Sequence, residues 1–125
     1  MDTRQKIVGL TEARTRLAAG AWTVITGLFD PLTLAQAKRV HGARENGRKL
    51  AAIVLGSEDA LLSVDARATL IAALRDVDLV IRADGQEWRA AFSDASNIDL
   101  IEDLEGERAR SAEFVRTILE RQRSA

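Results

Sequence analysis

The sequence predicts an α/β fold of three layers, helices on both faces of a mainly parallel sheet. Three observations predict it. With 125 residues, 46% of them hydrophobic, the chain has the size of one domain with one core; at this length roughly two thirds of the unfolded surface can be buried. Short runs of β-branched and aliphatic residues recur along it, and amphipathic stretches long enough for helices separate them. That alternation belongs to parallel strands joined by right-handed crossovers. No repeat, low-complexity tract or linker divides the chain, so residues 1–125 are read as a single domain.

From Ile7 to Ala19 the apolar residues Leu10, Ala13, Leu17 and Ala18 recur at helical spacing, a leading helix over about 8–19. Thr11 offers an internal start signal, and Gly20 sits where a left-handed cap belongs. Trp22 to Thr26, ending at Gly27, is a buried strand. Asp30-Pro31 reads as an N-cap followed by proline at the first helical position, starting a helix that runs from about Pro31 to Asn46 and stops at Gly47. Lys49 to Leu55 is a second strand, closed by Gly56-Ser57. Ser63 caps a helix through Leu74 with Val64, Leu70, Ile71 and Leu74 on its apolar side. Asp78 to Ile81 is a third strand, Gly85 to Phe92 a short helix carrying Trp88, and Ile98 to Ile101 an edge-like fourth strand. A last helix starts near Ser111 and turns Phe114, Val115, Ile118 and Leu119 to the core. The whole is a Rossmann-like arrangement.

Composition removes several function classes. The chain has no cysteine, which excludes disulfides, thiolate metal sites and cysteine nucleophiles. One histidine, His41, excludes a histidine-rich zinc site and leaves any serine–histidine dyad to that residue alone. Eighteen basic against nineteen acidic residues give a net charge of −1, so no nucleic-acid partner is expected. No apolar run approaches the ~18–20 residues of a membrane span. The charged start Met-Asp-Thr-Arg-Gln-Lys is unlike a signal peptide, so a cytoplasmic protein with no membrane partner is expected.

In open parallel sheets ligands bind beyond the carboxyl ends of the strands, where the strand order reverses. Gly27 would let the chain turn sharply at the end of the first strand, and the next helix N-terminus offers unpaired N–H groups suited to phosphate. On those grounds alone it is equally an ordinary connecting loop.

The residues say more. Gly27-Leu28-Phe29-Asp30-Pro31-Leu32-Thr33 resembles the G-x-F-D-P-L-[T/H]-x-G-H signature of the cytidylyltransferase-like nucleotidyltransferases. Glycerol-3-phosphate cytidylyltransferase, phosphopantetheine adenylyltransferase and the nucleotidyltransferase part of ADP-heptose synthase belong to that superfamily. Three further segments agree in order. Leu50 to Glu58 is similar to the second strand and its ending; Asp65 to Asp78 resembles an E-x-R-x-x-x-[IL]-x-A-L-x-x-V-D helix and turn; Arg110 to Arg116 stands in the place of the I-S-S-T-x-I-R motif. The resemblance covers about residues 8–122.

What it implies is a site in which Thr26, Gly27, Leu28, Phe29, Thr33, Ala35, Gln36, Arg67, Ser111 and Arg116 bind a nucleoside triphosphate, CTP or ATP. Gln36 stands at the catalytic position. An acceptor phosphate would attack the α-phosphorus in line, with Mg²⁺ neutralising charge and pyrophosphate leaving. Thr33 and the Pro31-Leu32 pair lean toward adenylyltransferases; the leading helix and the last motif lean toward cytidylyl or heptose chemistry. Members of the superfamily are often homodimers, an assembly the resemblance allows here, though nothing in the sequence identifies an interface.

The departures from the signature bear on activity. Ala35 replaces the glycine that lets a nucleotide approach, and Gln36 replaces the second histidine. Glutamine can donate a hydrogen bond but cannot carry an imidazole's proton or charge. The acidic Glu58-Asp59 pair stands where relatives place lysine or arginine, and Ala112 and Glu113 alter the last motif. The expectation is therefore a nucleotide-binding domain with a degenerate motif, a pseudoenzyme. The alternative is an active cytidylyl- or adenylyltransferase joining CMP or AMP to a phosphorylated acceptor.

Individual residues keep two readings. Arg67 is either a phosphate ligand or a solvated first-turn arginine, and so is Arg116 on its charged helix face. Asp30 is an N-cap, with a catalytic role compatible. Phe29 and Trp22 are core residues first, and Trp88 is a candidate exposed anchor for a partner. His41 lies five residues past Gln36 and is assigned to the surface or to helix packing; Lys38 and Arg39 are assigned to solvent.

Overall fold

The structure is a computed structural model that describes residues 2–30, 32–44, 48–56, 60–83, 87–92, 95–102 and 116–122. After a short 3₁₀ turn (Thr3–Lys6), the elements in chain order are β1 (Ile7–Val8), α1 (Leu10–Leu17), β2 (Trp22–Gly27), α2 (Leu34–Ala43), β3 (Lys49–Leu55), α3 (Val64–Ala72), β4 (Leu79–Ala83), α4 (Glu87–Phe92) and β5 (Ile98–Ile101). Residues 116–122 are helical.

All four strand pairings are parallel, and the sheet order is β1-β4-β3-β2-β5. β3 shows why the sheet sits inside: six of its seven residues are buried. Leu50, Ala52 and Val54 pack into one layer with Val40 of α2 and Ala68, Ile71 and Ala72 of α3. Ala51, Ile53 and Leu55 pack into the other with Ala13 and Leu17 of α1 and Trp88 and Phe92 of α4. A strand buried on both faces needs a continuous apolar run, which Leu-Ala-Ala-Ile-Val-Leu supplies. The result is the Rossmann-like three-layer α/β/α architecture.

From β2 the chain steps through β3 to β4 on one side, then crosses back to lay β5 on the other side of β2. α2 leaves β2 over one face, while α4 approaches β5 over the opposite face. The reversal of strand order therefore falls between β2 and β5, and the crevice of this fold opens above their carboxyl ends.

Several boundaries differ from the sequence reading. Ile7 and Val8 are not the start of the leading helix; they pair with Val80 and Ile81 as an edge strand, and extended Gly9 separates them from α1. Two β-branched residues before a glycine take the sheet edge that β4 offers. Ala18 is exposed, whereas Gly20 adopts the left-handed φ of 85° its position suggests. α2 starts at Leu34 and ends at Ala43, with Arg44 as C-cap, so neither Pro31 nor Asn46 bounds it. Gly47 and Gly85 lie outside the described residues, as do Phe114 and Val115.

α3 keeps its Ser63 cap but ends at Ala72. Leu70 and Leu119, both assigned to the core, are exposed. Leu70 lies off the line of Ala68, Ile71 and Ala72 that faces the sheet. Trp88 is not an exposed anchor: it is 1% exposed, wedged between α4 and the sheet. No helix among the described residues is long and apolar enough to cross a membrane.

The burial of Trp88 sets one expectation. Trp88→Ala should lower stability by about 3–5 kcal/mol in urea unfolding, the cost of emptying a core aromatic position. A change within about 0.5 kcal/mol would put the side chain on the surface instead.

Candidate functional site

The site begins where β2 ends. Thr26 is fully buried, and its Oγ1 has no hydrogen-bond partner among the described residues. Gly27 does not make the turn: it is the last strand residue, paired with Val54. The left-handed residue is Phe29, at a φ of 49°. A bulky side chain in that region is disfavoured by about 1–2 kcal/mol, so the surroundings must hold it there. Phe29 is 1% exposed in the layer that holds α2 and α3, and its neighbours on both sides are tied down.

One tie is Asp30. It does not cap α2. Its buried carboxylate accepts the N–H groups of Leu61 and Leu62, the latter at 2.7 Å, and so anchors the segment before α3. The second tie is Arg67, 1% exposed. Its Nη1 donates to the Leu28 carbonyl at 2.8 Å and to the Leu55 carbonyl at 2.7 Å, and its Nε donates to the Leu62 carbonyl at 3.0 Å. One guanidinium thus joins the end of β2, the end of β3 and the approach to α3. Burial pushes the Arg67 pKa down, and the nearby Asp30 charge works in the opposite direction.

The cap of α2 is Thr33. Its Oγ1 accepts the Gln36 N–H at 3.3 Å, while Gln36 Oε1 accepts the Thr33 N–H at 3.0 Å, a reciprocal capping box. Gln36 is buried at 3% exposure, and Ala35 between them is exposed.

The structure thus brings Thr26, Gly27, Leu28, Phe29, Thr33, Ala35, Gln36 and Arg67 to one end of the sheet. Arg67 is not the solvated first-turn arginine of one sequence reading: it is buried, and its described bonds all go to backbone carbonyls. Arg116 is exposed, and no hydrogen bond or ion pair among the described residues joins it to the turn. Ser111, Glu58 and Asp59 lie outside the described residues. His41 sits near the far end of α2, its Nδ1 3.0 Å from Asp76, in keeping with a surface role. Lys38 is exposed.

Two features escaped the sequence reading although signals for them exist. Thr33-Leu34-Ala35-Gln36 has the T-x-x-Q spacing of a capping box. Arg67 lies on the same helical stripe as Val64, Ala68 and Ile71, a placement that marks it for burial.

Among the described residues no group of three or more His, Asp or Glu side chains gathers to hold a metal ion. No protein-family model matches the sequence, and no curated protein matches it.

Removing either kind of tie should be measurable. Arg67→Met strands three carbonyls inside the protein and should lower stability by about 3 kcal/mol or more, read by urea unfolding. Gln36→Ala should cost about 1 kcal/mol, and Thr33→Ala about the same. The double variant should fall short of their sum, because the two side chains form one box.

Proposed function

We propose that this domain binds a nucleoside triphosphate, CTP or ATP, over the Gly27–Asp30 turn, and that it is a nucleotidyltransferase-like domain with a degenerate catalytic motif. The observation that carries the degenerate part is the capping box. Gln36, at the position where the resembled signature has a histidine, is buried and turned back onto the Thr33 backbone. Glutamine carries no proton for transfer and no charge for a departing pyrophosphate, and here its carbonyl oxygen holds a helix end.

Binding rests on different features. The turn lies at the reversal of strand order between β2 and β5, the place where open parallel sheets bind their ligands. The α2 N-terminus beside it carries the positive end of a ten-residue helix. The Gly27 to Thr33 resemblance supplies the ligand class. Mg²⁺, which such a ligand brings with it, would screen phosphate charge. The chain's own part is to hold the turn open and the helix end in place, through Asp30, Arg67 and the capping box.

Titration calorimetry of the wild-type protein with CTP and with ATP, each with Mg²⁺, is the test. Micromolar binding of one of them, without pyrophosphate release on adding phosphorylated acceptors, is the expected result. A folded protein giving no binding heat with either nucleotide overturns the reading. Pyrophosphate release by the wild-type protein overturns its degenerate part. Ala35→Gly combined with Gln36→His should restore measurable pyrophosphate release if only the transition-state groups have been lost.

A further inference from the structure

Residues 60–62, on the approach to α3, are fastened to the fold by hydrogen bonds and hardly at all by packing. None of them is buried, and none belongs to either core layer. Leu61 is 53% exposed. Among the described residues, three side-chain hydrogen bonds join this segment to the rest of the chain. Asp30 accepts the Leu61 and Leu62 N–H groups, and Arg67 Nε donates to the Leu62 carbonyl. The same residues line a cavity of about 290 Å³, so one side of the segment borders open space. A segment with little apolar burial and few hydrogen bonds opens at a lower free energy than the core around it.

Opening has a consequence for Asp30. The carboxylate is 3% exposed, and each of its oxygens is given to this segment. Releasing residues 60–62 removes both donors, and a carboxylate that loses its hydrogen bonds must be solvated instead. Water then reaches Asp30. The β2–α2 turn itself keeps its other anchors, since Phe29 packs in the core and the Leu28 carbonyl stays on Arg67 Nη1. The two states therefore differ in the charge that the turn presents. Closed, the carboxylate is screened by two N–H dipoles; open, it is bare.

A ligand shifts such an equilibrium only by binding the two states differently. A polyanion on the turn does so, because the bare carboxylate repels it. We propose that residues 60–62 form a strap that opens and closes over Asp30 in the folded protein, and that an anionic ligand on the β2–α2 turn holds it closed. The ligand half rests on the nucleotide binding proposed above; the strap itself does not.

Native-state hydrogen exchange of the wild-type protein is the test, with the Ile53 N–H of β3 reporting global unfolding. Without ligand, the Leu61 and Leu62 N–H groups should share one protection factor, about tenfold or more below that of Ile53. Their exchange should also depend little on urea, since a local opening exposes little surface. Protection and urea dependence equal to those of Ile53 would mean that the segment opens only with the whole domain, which overturns the strap. Exchange without any protection overturns it too, because the bonds to Asp30 would then be absent.

Saturating CTP or ATP with Mg²⁺ should raise protection at Leu61 and Leu62 about tenfold or more, together with Ile53, because the open strap binds poorly. A rise at Ile53 alone shows that open and closed states bind alike and overturns the ligand half. No change at any of the three shows that neither nucleotide binds. The function proposed above and the ligand half then fall together, while the ligand-free exchange still decides the strap. Asp30→Asn keeps the size of the side chain and removes its charge. In the folded variant, nucleotide should protect Ile53 more than it protects Leu61 and Leu62; an equal rise at all three overturns repulsion by Asp30 as the cause. The wild-type measurements decide the strap even if this variant does not fold.

Discussion

The Arg67 guanidinium is the interaction on which the functional end of this domain depends. Three carbonyls from three segments converge on it: Leu28 after β2, Leu55 at the end of β3 and Leu62 before α3. Where a parallel strand ends and the chain turns toward a helix, its last carbonyls lose their ladder partners. Buried, such groups must be paired. A single planar fork of N–H donors meets them together, and a lysine could not reproduce that geometry. Asp30 supplies the complementary half, an acceptor for the Leu61 and Leu62 N–H groups. The two side chains stitch the β2–α2 and β3–α3 connections into one unit, within which left-handed Phe29 is tolerated.

Within that unit the polar side chains around the β2–α2 turn serve the backbone. Asp30, Thr33, Gln36 and Arg67 each satisfy main-chain groups. A side chain with its polar atoms so committed is a poor choice for chemistry but a good one for holding a loop in a fixed shape.

Much of the architecture was legible because its signals are local. β3 and β5 have the bounds their apolar runs suggest, Ser63 caps α3, and Gly20 is left-handed. What was not legible depends on partners distant in the chain. Ile7 and Val8 read as helix until β4 is placed beside them, and Trp88 looks like a surface residue on a six-residue helix until the sheet is placed beneath it. Asp30-Pro31 imitates a helix start so well that only the competing bonds to Leu61 and Leu62 reveal its other use. Arg67 was ambiguous for a similar reason: its charge argues for solvent, while its place on the buried stripe of α3 argues for the core. The second argument prevails because three carbonyls await it there.

The order β1-β4-β3-β2-β5 has a kinetic side. β2 is complete by Gly27, yet the strand that covers its outer edge, β5, ends at Ile101. As the chain emerges from a ribosome, most of it must be synthesised before that edge can close. Until then Trp22 to Gly27 is an uncovered, apolar template for any other strand. Pairings of such long sequence separation form late in folding. The crevice between β2 and β5 is therefore the last part of the sheet to exist, and a ligand that prefers the crevice closed would act on the folding chain as well as on the finished protein.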